Sequence, residues 1–284
     1  MEDYESKKEK LNQLVRDHLE GGAVLAFSGG VDSSLILKLA SLYRKDENDI
    51  VAIIYKTETS PNGDLENAQN LAREMKVKLY EADISVFDNE AILNNPIDRC
   101  YHCKSFLFEE AFKLKDKLGY RYVLDGSNLD DYKVFRPGLK ALHDKGVVSL
   151  LKEAGFSKEM VRDYAKELGI SVYKRPSSPC LATRFPYNSR INTQMLDAID
   201  KGEALIKDLG IKNVRIRLYG DNTRIEVERK DFPIVMENLD TITRGLKDLG
   251  FTYINLDLEG YRSGSMDEVL EDKDKVELNP WLAQ

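Results

Sequence analysis

The sequence predicts an α/β protein: a parallel sheet with helices on both faces, followed by a small C-terminal α+β domain. Strand-like apolar runs alternate with helix-periodic segments from Ala23 to Tyr173. Those strands are near-continuous apolar runs, as expected of strands buried on both faces. After the loop-like stretch Arg175-Pro176-Ser177-Ser178-Pro179 the rhythm changes to helix, strand, strand, helix, strand.

Residues 4–20 read as an amphipathic helix with Leu11, Leu14, Val15 and Leu19 on one side. Strands are expected over 24–27, 50–55, 77–80 and 122–124, with a short fifth over 171–173. Helices are expected over 31–43, 65–75, 101–118 and 158–168, the last capped by Ser157. The second unit places a helix over 193–209, strands over 214–219 and 224–227, a helix over 232–249 and a strand over 253–258. A boundary at residue 178 divides the chain into domains 1–178 and 179–284, the second expected to supply substrate binding and oligomer contacts. The acidic, lysine-containing tail after Ser265 reads as a partly mobile surface segment.

The run Ser28-Gly29-Gly30-Val31-Asp32-Ser33-Ser34 sits between the first strand and the following helix. Its glycines permit close backbone approach to a ligand, and the helix start presents unpaired N–H groups and partial positive charge. Ser28, Ser33 and Ser34 add hydroxyls, and Asp32 adds a carboxylate suited to Mg²⁺. A pyrophosphate with its metal is the fitting ligand. A plain serine-capped helix after a glycine turn is the alternative.

The chain has 284 residues, 42% of them hydrophobic and 32% charged, enough for one large domain or two modest ones. A net charge of −7 argues against broad, sequence-independent nucleic-acid binding but leaves room for a local basic pocket. No apolar run approaches membrane-spanning length, and the charged start Met1-Glu2-Asp3-Tyr4 lacks a signal-peptide core. Three cysteines are too few for a disulfide framework, so a cytoplasmic protein is expected.

Cys100 and Cys103 form a Cys-x-x-Cys pair inside Arg99-Cys100-Tyr101-His102-Cys103-Lys104, and Cys180 stands alone. Four readings are open: unrelated thiols, a redox dithiol, a zinc site using His102, and an iron–sulfur cluster on three thiolates. His102 should point away from the pair if Cys100 and Cys103 share a helix face. Arg99 and Lys104 could offset thiolate or adenylate charge, or do nothing so specific.

The Ser28 to Ser34 run resembles the SGGxDS signature of the PP-loop ATP pyrophosphatases, whose fold is the adenine nucleotide alpha-hydrolase-like one. It lacks the Gly-Lys-[Ser/Thr] ending of a Walker loop. The resemblance implies ATP cleavage between the α- and β-phosphates, adenylation of an acceptor, and displacement of AMP by a nucleophile. Ser28, Gly29, Gly30, Asp32, Ser33, Ser34 and Gly126 are the expected nucleotide-binding residues. Beside such a loop, the cysteine pattern resembles that of the [4Fe-4S]-dependent tRNA 2-thiolation enzymes.

Further stretches narrow the family. They are Asp125-Gly126-Ser127-Asn128, Arg136-Pro137-Gly138-Leu139-Lys140-Ala141, Cys180-Leu181-Ala182-Thr183-Arg184-Phe185-Pro186-Tyr187, Val214-Arg215-Ile216-Arg217 and Gly260-Tyr261-Arg262-Ser263-Gly264. Together they resemble the LarE family, the ATP-dependent sulfur transferases of nickel-pincer nucleotide cofactor biosynthesis, from about residue 20 to 266. This resemblance implies adenylation of the carboxylates of pyridinium-3,5-biscarboxylic acid mononucleotide and replacement of oxygen by sulfur. In sacrificial members a cysteine matching Cys180 gives up its sulfur. The additional Cys100 and Cys103 depart from those members and fit the cluster-containing variant, which carries exogenous sulfide.

The expected catalytic residues are therefore Cys180 and Asp32, with Cys100, Cys103 and Cys180 as iron–sulfur ligands and Asp32 as the Mg²⁺ ligand. Arg215 and Arg217 alternate on a strand and so face one way. With Arg184 they are expected to hold the substrate phosphate, the alternative being a strand edge paired with Glu226 or Glu228. Expected cofactors are ATP, Mg²⁺ and a [4Fe-4S] cluster, with a small nucleotide substrate and a sulfide or persulfide donor. A homo-oligomer is also expected. Two other functions stay open: a cluster-dependent tRNA 2-thiolation enzyme, and a non-catalytic adenine-nucleotide-binding metal protein.

Overall fold

A buried apolar run seeds each central strand. Ile50-Val51-Ala52-Ile53-Ile54 is buried throughout; Val24-Leu25 lies beside it in the same sheet, and Val123-Leu124 lies on the far side of Val24-Leu25. The computed structural model describes residues 3–176 and 179–283, so the expected boundary at residue 178 lies outside the described residues. The first part runs α1 (Tyr4–Leu19), β1 (Ala23–Ala26), α2 (Val31–Tyr43), β2 (Ile50–Lys56), α3 (Asp64–Glu74), β3 (Lys78–Asp83), α4 (Glu90–Leu93), α5 (Arg99–Leu118), β4 (Tyr122–Asp125), α6 (Gly138–Lys145), β5 (Val148–Ser149), α7 (Leu150–Glu153) and α8 (Lys158–Glu167).

These strands form a five-stranded, wholly parallel sheet in the order β3-β2-β1-β4-β5. Alternate residues face opposite sides. Leu25 and Ala52 pack with Leu11, Leu35, Leu150 and Val161 from α1, α2, α7 and α8. On the other face, Val24, Ile53 and Val123 meet Phe108, Ala111, Leu139 and Leu142 from α5 and α6. The strand order reverses between β1 and β4. Ligands of such sheets bind at the carboxyl edge of this switch point.

The second part contains α9 (Thr193–Asp208), β6 (Val214–Tyr219), β7 (Asn222–Val227), α10 (Phe232–Glu237), α11 (Leu239–Asp248), β8 (Tyr253–Leu256) and α12 (Asp272–Leu278). β6 and β7 pair antiparallel, and β7 pairs parallel with β8. Their core joins Ile199, Ile216, Ile225 and Leu246 to Leu181, Ala182 and Phe185, and reaches Leu93 of α4. Among the described residues no helix is long and apolar enough to cross a membrane.

Four expectations differ from what is observed. The fifth strand is Val148–Ser149, whereas Ser171–Lys174 is a short 3₁₀ turn. Its backbone closes on itself through Tyr173 N–H to Ile170 O at 3.2 Å and Arg175 N–H to Val172 O at 2.9 Å. The helix expected over 232–249 breaks at Asn238, whose side chain donates to Ile234 O at 2.8 Å, a local bond that competes with continued helix. The α6 helix was not anticipated. The tail is docked: Trp281 packs edge-on against Tyr132 at 5.5 Å between ring centroids, and buried Asn279 donates to Val134 O at 2.8 Å.

Candidate functional site

The loop after β1 is shaped by its glycines. Gly29 adopts φ +68°, and a Cβ there would come within 2.7 Å of Asn67 Nδ2, the group that donates to Gly29 O at 2.9 Å. Gly30 is the N-cap of α2 and supplies no side-chain acceptor, so the helix start is open to a ligand. Ser28 and Ser33 tie the loop together. Gly30 N–H donates to Ser28 Oγ and Ser28 N–H to Ser33 Oγ, each at 3.3 Å. Ser34 is fully buried, and its hydroxyl has no partner among the described residues.

The end of β4 comes against this loop. A Cβ on Gly126 would sit 2.7 Å from Ser33 N, so only glycine permits the approach. Buried Asp125 accepts from Ser149 Oγ at 2.5 Å and from Ser127 Oγ. Asn128 caps the next turn reciprocally with Asp131 and donates to Asp32 Oδ1 at 3.0 Å. Lys158 Nζ pairs with the other oxygen of Asp32. Lys158 is held at the start of α8 by its own N–H, which donates to Asp130 at 2.8 Å. Sequence reasoning passed over Lys158. The signal for it was the capped helix start at Ser157, since helices of parallel sheets start at the ligand-binding edge. Asp130 and Asp131 thus serve a turn and a helix start.

Cys100 and Cys103 lie in the first turns of α5, and Cys180 precedes a 3₁₀ turn at Leu181–Arg184. Leu181 N–H donates to Thr59 O at 3.0 Å, which brings the Cys180 loop onto the loop after β2. Because α5 leads into β4, its N-terminus belongs to the same carboxyl edge. The Cys103 thiol is pushed up to about 12, first by burial and then by the Cys180 and Cys100 thiols facing it. Burial would lower the Arg99 pKa, but Cys100, Cys180 and Cys103 together raise it. Arg99 Nη2 stands 3.2 Å from Cys100 Sγ. His102 turns away to Asp98 at 3.1 Å. Among the described residues no three His, Cys, Asp or Glu side chains close around a single metal ion.

All three expected phosphate-binding arginines are buried. Arg184 meets Glu203 in a bidentate pair at 2.7 and 2.8 Å, and its other arm reaches Thr183 Oγ1 at 2.7 Å and the Cys180 carbonyl at 3.4 Å. Arg217 pairs with Glu226 at 2.7 Å and donates to Thr183 O at 2.7 Å and Ser265 Oγ at 2.9 Å. These two grip the Cys180 loop, which differs from the expectation that both hold a ligand phosphate. Arg215 is different. Its one hydrogen bond among the described residues goes to Val214 O at 2.6 Å, and its guanidinium lies 5.4 Å over the Tyr261 ring. Its pKa is lowered by burial and by nearby Arg184, so an anion would be welcome there.

Residues 4–101 match the NAD synthase family model. An uncharacterised protein of Synechocystis is 35% identical over 94% of this chain and 98% of its own length. The pyridinium-3,5-bisthiocarboxylic acid mononucleotide synthase of Lactiplantibacillus plantarum is 33% identical over 87% of this chain and 89% of its own. The chain belongs to the LarE family. An uncharacterised protein of Methanocaldococcus jannaschii is 32% identical over 84% of the chain and 90% of its own. With the PP-loop fold of NAD synthases, this LarE-family member is an ATP-using enzyme.

Two outcomes are expected from this geometry. Glu203→Ala strands the buried Arg184 guanidinium and should cost about 3–5 kcal/mol in denaturant melts, where a loss below 1 kcal/mol would contradict the pairing. Lys158→Ala should weaken Mg²⁺·ATP binding by about tenfold or more in calorimetry, the scale of one charge-assisted hydrogen bond.

Proposed function

We propose that the protein is an ATP-dependent sulfur transferase acting on the carboxylates of pyridinium-3,5-biscarboxylic acid mononucleotide. The observation that carries this reading is the gathering of three thiols around Arg99 at the sheet edge that bears the phosphate loop. The kinship to a synthase named for the bisthiocarboxylic product supplies the substrate class.

The open start of α2, with Ser28, Ser33 and Ser34, holds the phosphates of ATP, and Gly126 lets the neighbouring strand end close over them. Asp32 would hold the Mg²⁺ that offsets charge on the leaving pyrophosphate, and Lys158 adds a second positive charge. A substrate carboxylate oxygen bonds to the α-phosphorus, and the bond to the β-phosphate oxygen breaks, releasing pyrophosphate. Sulfide then forms a bond to the acyl carbon, and the carbon–oxygen bond to AMP breaks. The second carboxylate reacts in the same way. Arg215 is the side chain best disposed to take the mononucleotide phosphate, while Arg184 and Arg217 keep the Cys180 loop in shape.

Cys100, Cys103 and Cys180 fit a [4Fe-4S] cluster by donor chemistry. They are soft thiols from two chain segments, and a cubane spreads its ligands over separate irons where a single ion would need them closer. When bound, the cluster would supply an open iron position for sulfur. The protein's contribution is to hold the thiols, keep them partly sheltered from water, and set a cation beside them.

Asp32→Ala should lower acceptor-dependent pyrophosphate release by about a hundredfold or more while leaving iron content unchanged, and full release would contradict the assignment. Intact-protein mass should stay constant through turnover, and each single Cys→Ala change should lower iron content and sulfur transfer together. Conversion of Cys180 to dehydroalanine, with Cys100→Ala still active, would contradict the cluster route and leave the family unchanged.

A further inference from the structure

Asn95 is fully buried, and its conformation is unusual. It lies between α4 and α5 at φ +51°, a left-handed backbone that asparagine tolerates better than most residues. Every polar atom of its side chain is engaged. Nδ2 donates to Phe185 O at 3.1 Å and to Pro186 O at 2.7 Å, and Oδ1 accepts from Arg99 Nη1 at 2.7 Å. Its backbone carbonyl accepts Asn188 N–H at 2.8 Å, and Leu93 O accepts Ile191 N–H at 2.9 Å. Phe185 and Pro186 belong to the loop that begins at Cys180. Arg99, in turn, is buried and donates to Cys100 Sγ at 3.2 Å.

These bonds form a continuous path from the Cys180 loop through Asn95 and Arg99 to Cys100. We propose that Asn95 and Arg99 are positioning residues of the three-thiol site. Asn95 fixes the Cys180 loop against the start of α5, and Arg99 sets the Cys100 thiol and supplies a buried positive charge. The inference rests on the reading that the three thiols act as one site. It explains features that thiol binding alone leaves unexplained: a left-handed asparagine with no solvent exposure, and a buried arginine whose acceptors are an amide and a sulfur. Among the described residues Arg99 has no carboxylate within ion-pair distance, and its side-chain hydrogen bonds go to the Asn95 amide and to Cys100 sulfur. Thiolates carrying iron and sulfide form an anionic group, which a buried guanidinium offsets.

Two arms test this on the full-length chain. The first uses the iron-free protein with Cys103→Ser, so that dibromobimane can bridge only Cys100 and Cys180. Adding Asn95→Gly keeps the left-handed backbone permissible and removes the amide. Cross-linking should slow about tenfold or more at unchanged far-ultraviolet circular dichroism, since intramolecular rates follow proximity. Cross-linking at the parent rate would overturn the brace, and this arm does not depend on iron. The second arm compares the reconstituted Arg99→Lys and Arg99→Gln proteins by iron content and reduction midpoint. The Gln variant should show the lower midpoint, because removing a cation disfavours adding an electron. Equal midpoints would overturn the electrostatic role. A parent protein that takes up no iron, yet loses its cross-link with Asn95→Gly, would refute the cluster reading and still support the brace.

Discussion

The Glu203 carboxylate is the fixed point on which the thiol loop depends. It is nearly inaccessible to solvent, accepts from Nε and Nη2 of Arg184, and also accepts Ile216 N–H of β6 at 3.0 Å. A buried carboxylate and guanidinium are costly alone and tolerable together, so the pair tolerates little displacement. Arg184 then reaches Thr183 and the carbonyls of Pro179 and Cys180, so the position of the cysteine follows from helix α9 and strand β6. Arg217, on the face of β6 opposite the core residue Ile216, repeats the arrangement, anchored by Glu226 and linked to Ser265. The small sheet is thereby the foundation of a loop that ends beside the large one.

The large sheet supplies the other half. Its order reverses between β1 and β4, and the open start of α2 and the Gly126 approach lie at the carboxyl edge of that switch point. Helix α5 starts at this edge because it leads into β4, which brings Cys100 and Cys103 to the edge that bears the phosphate loop without any special device. Only Cys180 has to be brought from elsewhere. Two linkages bring it, Leu181 to Thr59 and the Asn95 contacts to Phe185 and Pro186. The phosphate loop and the three cysteines thus share one edge because topology places the loop, Cys100 and Cys103 there and hydrogen bonds add Cys180.

Much of this was legible in the sequence. The helix at Val31–Tyr43 and the strand at Val214–Tyr219 follow from apolar periodicity and have the expected bounds. The phosphate loop was legible because glycine and serine at fixed positions have few other uses between a strand and a helix. Strand β5 was not legible, since two residues carry no periodicity and its position is decided by pairing with β4. The roles of Arg184 and Arg217 were also hidden. The sequence offered Glu226 as a strand partner, which Arg217 does meet, but it carried no sign that Glu203 folds against Arg184 or that both arginines reach Thr183. Lys158 and Asn95 were missed for the same reason, because each acts through a partner distant in the chain.

On the proposed route a carboxylate is adenylated by ATP before sulfur replaces its oxygen. The direct measurement supplies the dicarboxylic mononucleotide with ¹⁸O-labelled carboxylates, ATP, Mg²⁺ and sulfide, and examines the nucleotide product by mass spectrometry. Carboxylate ¹⁸O should appear in the AMP phosphate, and the pyrophosphate should be unlabelled. ADP as the product, with ¹⁸O in inorganic phosphate, would contradict this route, because the γ-phosphoryl group would then have activated the carboxylate.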